Sequence, residues 1–153
     1  CPKCTPSLPL DMNHPQTILA HMGAHILNDP TIDRSTQPCG LCLRPWPMCQ
    51  IFLKKSGSAA NTLTLDMAKS RGCPNLVYFS YGTALISKES SPCSNVPLRC
   101  THCDAKDPTV WRYNFKEHLM QRHPDASLVK YSDIWTLTAA KIAGILVVWN
   151  LRN

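Results

Sequence analysis

The chain has 153 residues, with 13 Pro, 7% aromatic residues and few long periodic segments, so it makes one or two small domains in which apolar burial alone leaves little margin over chain entropy. Sixteen Lys and Arg against ten Asp and Glu give a formal charge of +6, compatible with phosphate contacts without being diagnostic of them. Nine Cys and six His are the remaining means of holding a fold; the odd Cys count, the C-x2-C pairs beside spaced His and the lack of an opening apolar signal segment favour metal over disulfides.

Metal ligation implies a reducing compartment, nuclear by expectation with the cytoplasm as the alternative. Cys1 itself reads as a ligand, so the sequence is expected to be a piece of a longer chain. Two thiolates with Zn²⁺ add no charge and four add −2, which takes the expected folded charge from +6 to about +4.

Residues 1–30 form the first unit. Cys1-x2-Cys4 is a knuckle, and after a Pro-rich loop Pro15 suits the first turn of a helix in which Ile18, Leu19, Met22, Ile26 and Leu27 keep helical spacing until Asp29-Pro30. His21 and His25 lie one turn apart on it, and Ile18 falls three before the first His, where a zinc finger places a core residue. After the polar connector "TIDRSTQP", residues 39–99 form a cysteine-rich sheet unit. "QIFLKK" (50–55) and "NTLTLDM" (61–67) alternate apolar and polar across the loop "SGSAA" and predict a strand pair, with "NLVYFSY" (75–81) as a third strand.

Residues 100–124 repeat the first pattern: Cys100-x2-Cys103-x14-His118-x4-His123, with Phe115 three before the first His. "DASLVKYSD" reads as a connector. The last unit, 133–153, carries a helix from about Thr138 to Leu151 with Ile142, Ile145, Leu146 and Trp149 on one face, widened by Val147 and Val148 and packing on the domain or on a partner. Its apolar run, Ala139 to Leu151, is too short to span a bilayer, so no membrane is expected. The fold class expected is a small zinc-stabilised α+β domain of knuckles, a short antiparallel sheet and three or four helices.

A C-x2-C turn supplies two thiolates on one side of a tetrahedron, and two His three to five apart on a helix complete the other. Cys1, Cys4, His21 and His25 thus make one zinc site, and Cys100, Cys103, His118 and His123 another. The middle offers five Cys for a four-thiolate site. Cys39 and Cys42 form its knuckle, and the other two ligands come from Cys49, Cys73 and Cys93. Cys49 shares a strand face with Ile51 and Leu53 and reads as a buried thiol, which favours Cys73 and Cys93. Three Zn²⁺ ions are therefore expected. Each site has four protein ligands and no open position, there is no H-E-x-x-H, and no H-x-E stands upstream of P-C-x-x-C, so structural zinc is expected rather than an enzyme with a small-molecule substrate.

Counting back from His118, standard finger docking places Trp111, Asn114 and Glu117 at the base-reading positions. Asn114 then pairs with adenine, Glu117 with cytosine, and Trp111 is more at home in packing. Arg112, Lys116 and Arg122 are the expected phosphate contacts on the same helix, and Arg44, Lys54, Lys55, Lys69 and Arg71 extend that surface. The first helix has no Lys or Arg between Pro15 and Pro30 and is a poor groove reader. Duplex DNA is thus the leading expected partner, with RNA second, and a protein partner or a second copy at the final helix is the competing expectation.

The stretches "ILAHMGAHILNDP", "CGLCLRPWPMCQIFLKK", "CPNLVYFSYGTA", "SPCSNVPLRCTHC" and "VWRYNFKEHLMQRHP", in this order, resemble the composite zinc-finger region of a large protein group of mushroom-forming fungi. That resemblance implies a multi-zinc, nuclear, DNA-associated module, found within longer proteins and linked to mobile elements. The apolar end "TAAKIAGILVVWNLRN" departs from the charged helix expected there.

Overall fold

The computed structural model describes residues 1–57 and 62–152. Helix α1, Pro15–Asn28, begins with Pro at its first turn and buries Ile18, Leu19, Met22 and Ile26, as its sequence spacing predicts. It stops at Asp29, whose backbone N–H reaches His25 O before Pro30.

A 3₁₀ turn at Arg34–Thr36 leads to the strand pair of the middle unit, β1 (Leu53–Lys55) against antiparallel β2 (Leu63–Leu65), in register Leu53 with Leu65. The pair is continued below by a single bridge between Gln50 and Arg71, with both backbone hydrogen bonds at 2.9 Å. Residues 58–61, which include most of the expected loop and the first residue of the second strand, lie outside the described residues.

The third strand expected at 75–81 does not form. Leu76 to Ser80 run without pairing, Phe79 enters the core, and Tyr81 opens the short helix α2, Tyr81–Leu85. β-Favouring side chains make a strand only where another strand accepts their backbone. The second sheet is elsewhere: β3 (Pro97–Leu98) pairs antiparallel with β4 (Val110–Trp111).

Helix α3, Phe115–Arg122, follows a 3₁₀ turn at Arg112–Asn114. The stretch read as a connector holds a further helix, α4, Leu128–Trp135, whose N-cap Ser127 accepts the Lys130 N–H. Leu128, Tyr131, Ile134 and Trp135 lay it on a small core of Cys100, Val110, Phe115 and Leu119. Helix α5, Ala139–Asn150, is capped by Thr138 in the same way. The fold is thus the expected α+β class, with five helices and two short antiparallel sheets among the described residues. No single helix there is long and apolar enough to cross a membrane.

The main core runs from Cys1 and α1 through Leu41, Ile51, Phe79 and Val96 to Ile145 of α5. Two glycines are required by close approach. A Cβ on Gly40 would lie 2.5 Å from the Trp111 ring, and one on Gly72, at φ +84°, would lie 2.0 Å from the Met48 carbonyl oxygen.

α5 packs on a stripe turned from the one expected. Ile145 is 1% exposed and Val148 and Trp149 are half-buried, but Ile142 and Leu146 are exposed. Gly144 is the reason: its bare Cα lets the helix sit against Pro92, which centres the buried stripe on residues 144, 145, 148 and 149. Ile145→Ala should therefore lower the unfolding free energy by about 2–5 kcal/mol, while Ile142→Ala stays within about 0.5 kcal/mol, read by urea denaturation. Equal costs would place the buried stripe where the sequence puts it.

Candidate metal centres

Three groups of four Cys and His side chains converge, and within each the ligand atoms all lie within 4.8 Å of one another. The first joins Cys1 and Cys4 to His21 and His25 of α1. The knuckle is closed by Cys4 N–H on Cys1 O at 3.3 Å, and one helical turn aims both rings at the sulfurs. Cys1 Sγ is 3.6 Å from His25 Nε2, and Cys4 Sγ is 3.4 Å from Nε2 of each His. His25 Nδ1 lies 2.8 Å from Asp29 Oδ2, so this nitrogen donates to the carboxylate and Nε2 keeps its lone pair for the cluster. Trp149 of α5 meets His25 edge-on, with ring centres 5.3 Å apart.

The third cluster repeats this at Cys100, Cys103, His118 and His123. Cys103 Sγ is 3.3 Å from His118 Nε2 and 3.2 Å from His123 Nε2, above the buried Phe115 and Leu119.

The second cluster is Cys39, Cys42, Cys49 and Cys73. Its knuckle is held by Leu43 N–H on Cys39 O (2.9 Å) and Cys39 N–H on Arg44 O (2.8 Å), and Leu43 takes the left-handed region at φ 63°. Sulfur separations are 3.8 Å for Cys39 and Cys73 and 3.4 Å for Cys42 and Cys49.

The expected ligand Cys93 is not in this cluster. It is buried against α1, donates to Leu19 O at 3.2 Å and receives the Asn95 N–H at 3.4 Å, and its sulfur would stand 2.8 Å from a Cβ on Gly23. Cys49 takes its place because the Gln50 to Arg71 bridge draws Cys49, next to Gln50, and Cys73, two residues past Arg71, to one end of the hairpin. The predicted strand pair, 50–55 with 61–67, did not hold that signal, because it stops short of the bridge at Arg71 and leaves Cys73 six residues past its end.

The separations fit a metal and not disulfides. A tetrahedral ion with bonds of about 2.3 Å to sulfur and about 2.0–2.1 Å to nitrogen sets ligand edges near 3.8 Å for two sulfurs and 3.6 Å for sulfur and nitrogen. The separations of 3.2–3.8 Å given above lie within about half an ångström of those edges. They exceed the about 2.05 Å of an S–S bond, and all nine Cys are free thiols.

Protonation favours the same reading. Burial, then the neighbouring His25, lowers His21 to about 4, and burial, then His123, lowers His118 to about 4. Both rings are therefore neutral at pH 7, the form that ligates. Hydrogen bonds from Cys39 and Cys73 lower Cys42 to about 3, while the thiol contacts with Cys42, Cys49 and Cys73 raise Cys39 well above its ordinary value. The thiols of this cluster share protons through these contacts, and an ion entering it must displace them. Burial, then Cys100, raises Cys103 to about 11.

The expected nucleic-acid contacts separate into two groups. Trp111 and Asn114 are 6% and 1% exposed. Asn114 donates to Pro38 O at 2.7 Å, and Glu117 faces Arg34 at 3.6 Å. Gln121, on the same side of α3, donates to Ser35 O at 2.7 Å and accepts from Gln37 at 3.0 Å. The face that reads bases in a standard finger is here packed against residues 34–38, so Asn114 cannot reach a base edge. Arg112 is half-buried at the end of β4, where its backbone N–H bonds Val96 O. Lys116 and Arg122 are exposed, and the Arg122 guanidinium lies 5.0 Å from the Trp46 ring centre. Trp46 and the segment 34–38 carry no motif, and nothing in their sequence marks them as partners of α3.

Comparisons with family models, curated proteins and solved structures find no match.

Two outcomes follow from the ligand sets. Native mass spectrometry should count three metal ions on the wild-type chain and on Cys93→Ala, but two on Cys49→Ala; loss of an ion from Cys93→Ala instead would reverse the assignment. Because folded His21 and His118 titrate near 4 and unfolded His near 6.5, the unfolded chain takes up more protons between those values, so stability falls as pH drops through that window. A chelating dye should report metal release and unfolding between about pH 6.5 and 4, with none between pH 7 and 8.5.

Proposed function

We propose that the three clusters hold zinc as structural ions and that the chain is a nuclear nucleic-acid-binding module, probing duplex DNA through its phosphates instead of reading bases with α3. Four Cys, or two Cys and two His, at tetrahedral spacing with no open position are the donor sets of structural zinc. Filled coordination also supports a role without catalysis.

The observation that carries the nucleic-acid reading is where the charge lies. Residues 39–124 hold eleven Lys and Arg against five Asp and Glu, while the rest of the chain holds five of each, so the whole +6 sits on this part. A zinc ion on four thiolates reduces it to about +4. Arg44, Lys54, Lys55, Lys69, Arg71, Lys116 and Arg122 are exposed there. Such a surface contacts phosphates of any sequence and binds by counterion release. The reading agrees with the DNA-associated role that the fungal resemblance implies.

A second reading has one specific observation behind it: Ile142, Leu146 and Val147 of α5 are 54%, 44% and 55% exposed on one side of a helix with no charge there. That side suits a protein partner or a second copy.

Binding of a labelled 20-base-pair duplex between 50 and 200 mM salt, followed by fluorescence anisotropy, tests the first reading. The expected result is affinity that falls steeply with salt, with Lys116→Ala/Arg122→Ala lowering the slope of log K against log salt by about two. No binding at 50 mM salt would sink it.

A further inference from the structure

We propose that the loop between Cys42 and Cys49 is a stacking platform for an unpaired base, with Trp46 as its surface and Arg44 and Arg122 as the flanking phosphate contacts; this deepens the nucleic-acid reading and rests on it.

Both ends of the loop are fixed, since Cys42 and Cys49 belong to one metal cluster. Its backbone is tied to the protein: Arg44 O accepts the Cys39 N–H at 2.8 Å, Trp46 N–H donates to Thr36 O at 2.9 Å, and Met48 N–H donates to Pro45 O at 3.0 Å. Its side chains are turned the other way. Arg44, Pro45, Trp46, Pro47 and Met48 are all exposed, Trp46 to 42% and Met48 to 53%. A rigid scaffold that leaves an indole in water forgoes the burial that normally recommends Trp, and an exposed aromatic held in one place is the usual ingredient of a recognition surface.

The chemistry around the ring selects the partner. Arg122 comes from a different unit, the end of α3, and places its guanidinium over one face of the indole, 5.0 Å from its centre. Arg44 lines the same small cavity as Trp46, beside Cys49, Trp111 and Asn114. No carboxylate is among the residues lining that cavity. An aromatic face flanked by cations fits a flat ring attached to a phosphate. The cavity that Trp46 helps to line is about 20 Å³, room for about one water. A base therefore stacks on the exposed part of the indole that Arg122 does not cover, and does not enter the cavity. Because every base has a π-face, the platform prefers unpaired over paired nucleotides without preferring a sequence.

The test compares two linear duplexes, one fully paired and one carrying a three-nucleotide bulge, each as DNA and as RNA, with metal content checked at three ions per chain. Trp46→Ala should weaken the bulged duplex of at least one nucleic acid by roughly five- to one-hundred-fold while leaving the paired duplex and the salt slope unchanged, and Trp46→Phe should restore part of the loss. Equal effects of Trp46→Ala on bulged and paired forms, or none on either, overturn the platform while leaving phosphate binding standing. Absence of binding to all four duplexes overturns both.

Discussion

Four ligand atoms brought within bonding reach of one ion are the constraint on which the rest of this structure depends. The sheets consist of strands of two and three residues, and isolated two-stranded pairs of that length are marginal in water. Each is stitched at its ends by a cluster: the β1–β2 pair by Cys49 and Cys73, and the β3–β4 pair by Cys100, two residues beyond Leu98. Metal binding of about 10–16 kcal/mol per site in finger peptides is folding free energy when the site does not exist in the unfolded chain. Metal at three such sites would outweigh what short strands and a modest core supply.

The clusters fix each unit internally, and a buried polar network joins the units to one another. Asn95 Oδ1 accepts the Tyr113 N–H, the Tyr113 hydroxyl accepts the Ser94 N–H, and Asn114 donates to Pro38 O. Every one of these bonds links the start of α3 to a segment outside the 100–124 unit. A hydrogen bond to a buried backbone group is expensive to leave unmade, so the finger is held in one orientation. The helix face that a solitary finger offers to a groove is thereby spent on its own chain. A spacing of Cys and His specifies the metal and the local fold, but which face of the helix remains free depends on what else the chain packs there.

The same division explains what could be read from the sequence. The Cys-Cys-His-His ligands were legible because each pair is local: a tight turn for two Cys and one helical turn for two His. α1 was legible to the residue at its start through Pro15, and closely at its end through Asp29-Pro30. Choosing among Cys49, Cys73 and Cys93 required a contact across the hairpin, and Cys49's alternation with Ile51 and Leu53 pointed to a buried thiol. It is buried, and it belongs to a cluster as well, since burial and ligation are not alternatives for a cysteine. α4 was missed because Ser127, Val129, Lys130, Ser132 and Asp133 dilute a stripe of four apolar residues. The stripe becomes decisive only when Phe115 and Leu119 are there to receive it. "NLVYFSY" failed the opposite way, with strong local preference and no partner strand.

Charge and metal are coupled in the middle unit in a way that neither composition nor fold alone conveys. Four thiolates around a divalent ion leave two negative charges beneath the knuckle, and Arg44 and Arg71 stand beside the cysteine ligands in sequence and exposed in space. Those cations lower the cost of a partly buried anionic cluster, so they have a reason to be there whether or not a phosphate arrives. Lys116 and Arg122 on α3 have no such debt, because two thiolates, two neutral imidazoles and one divalent ion carry no net charge. The charges of Lys116 and Arg122 are therefore not offset by the ligands of their own finger, whereas those of Arg44 and Arg71 lie next to the four-thiolate cluster.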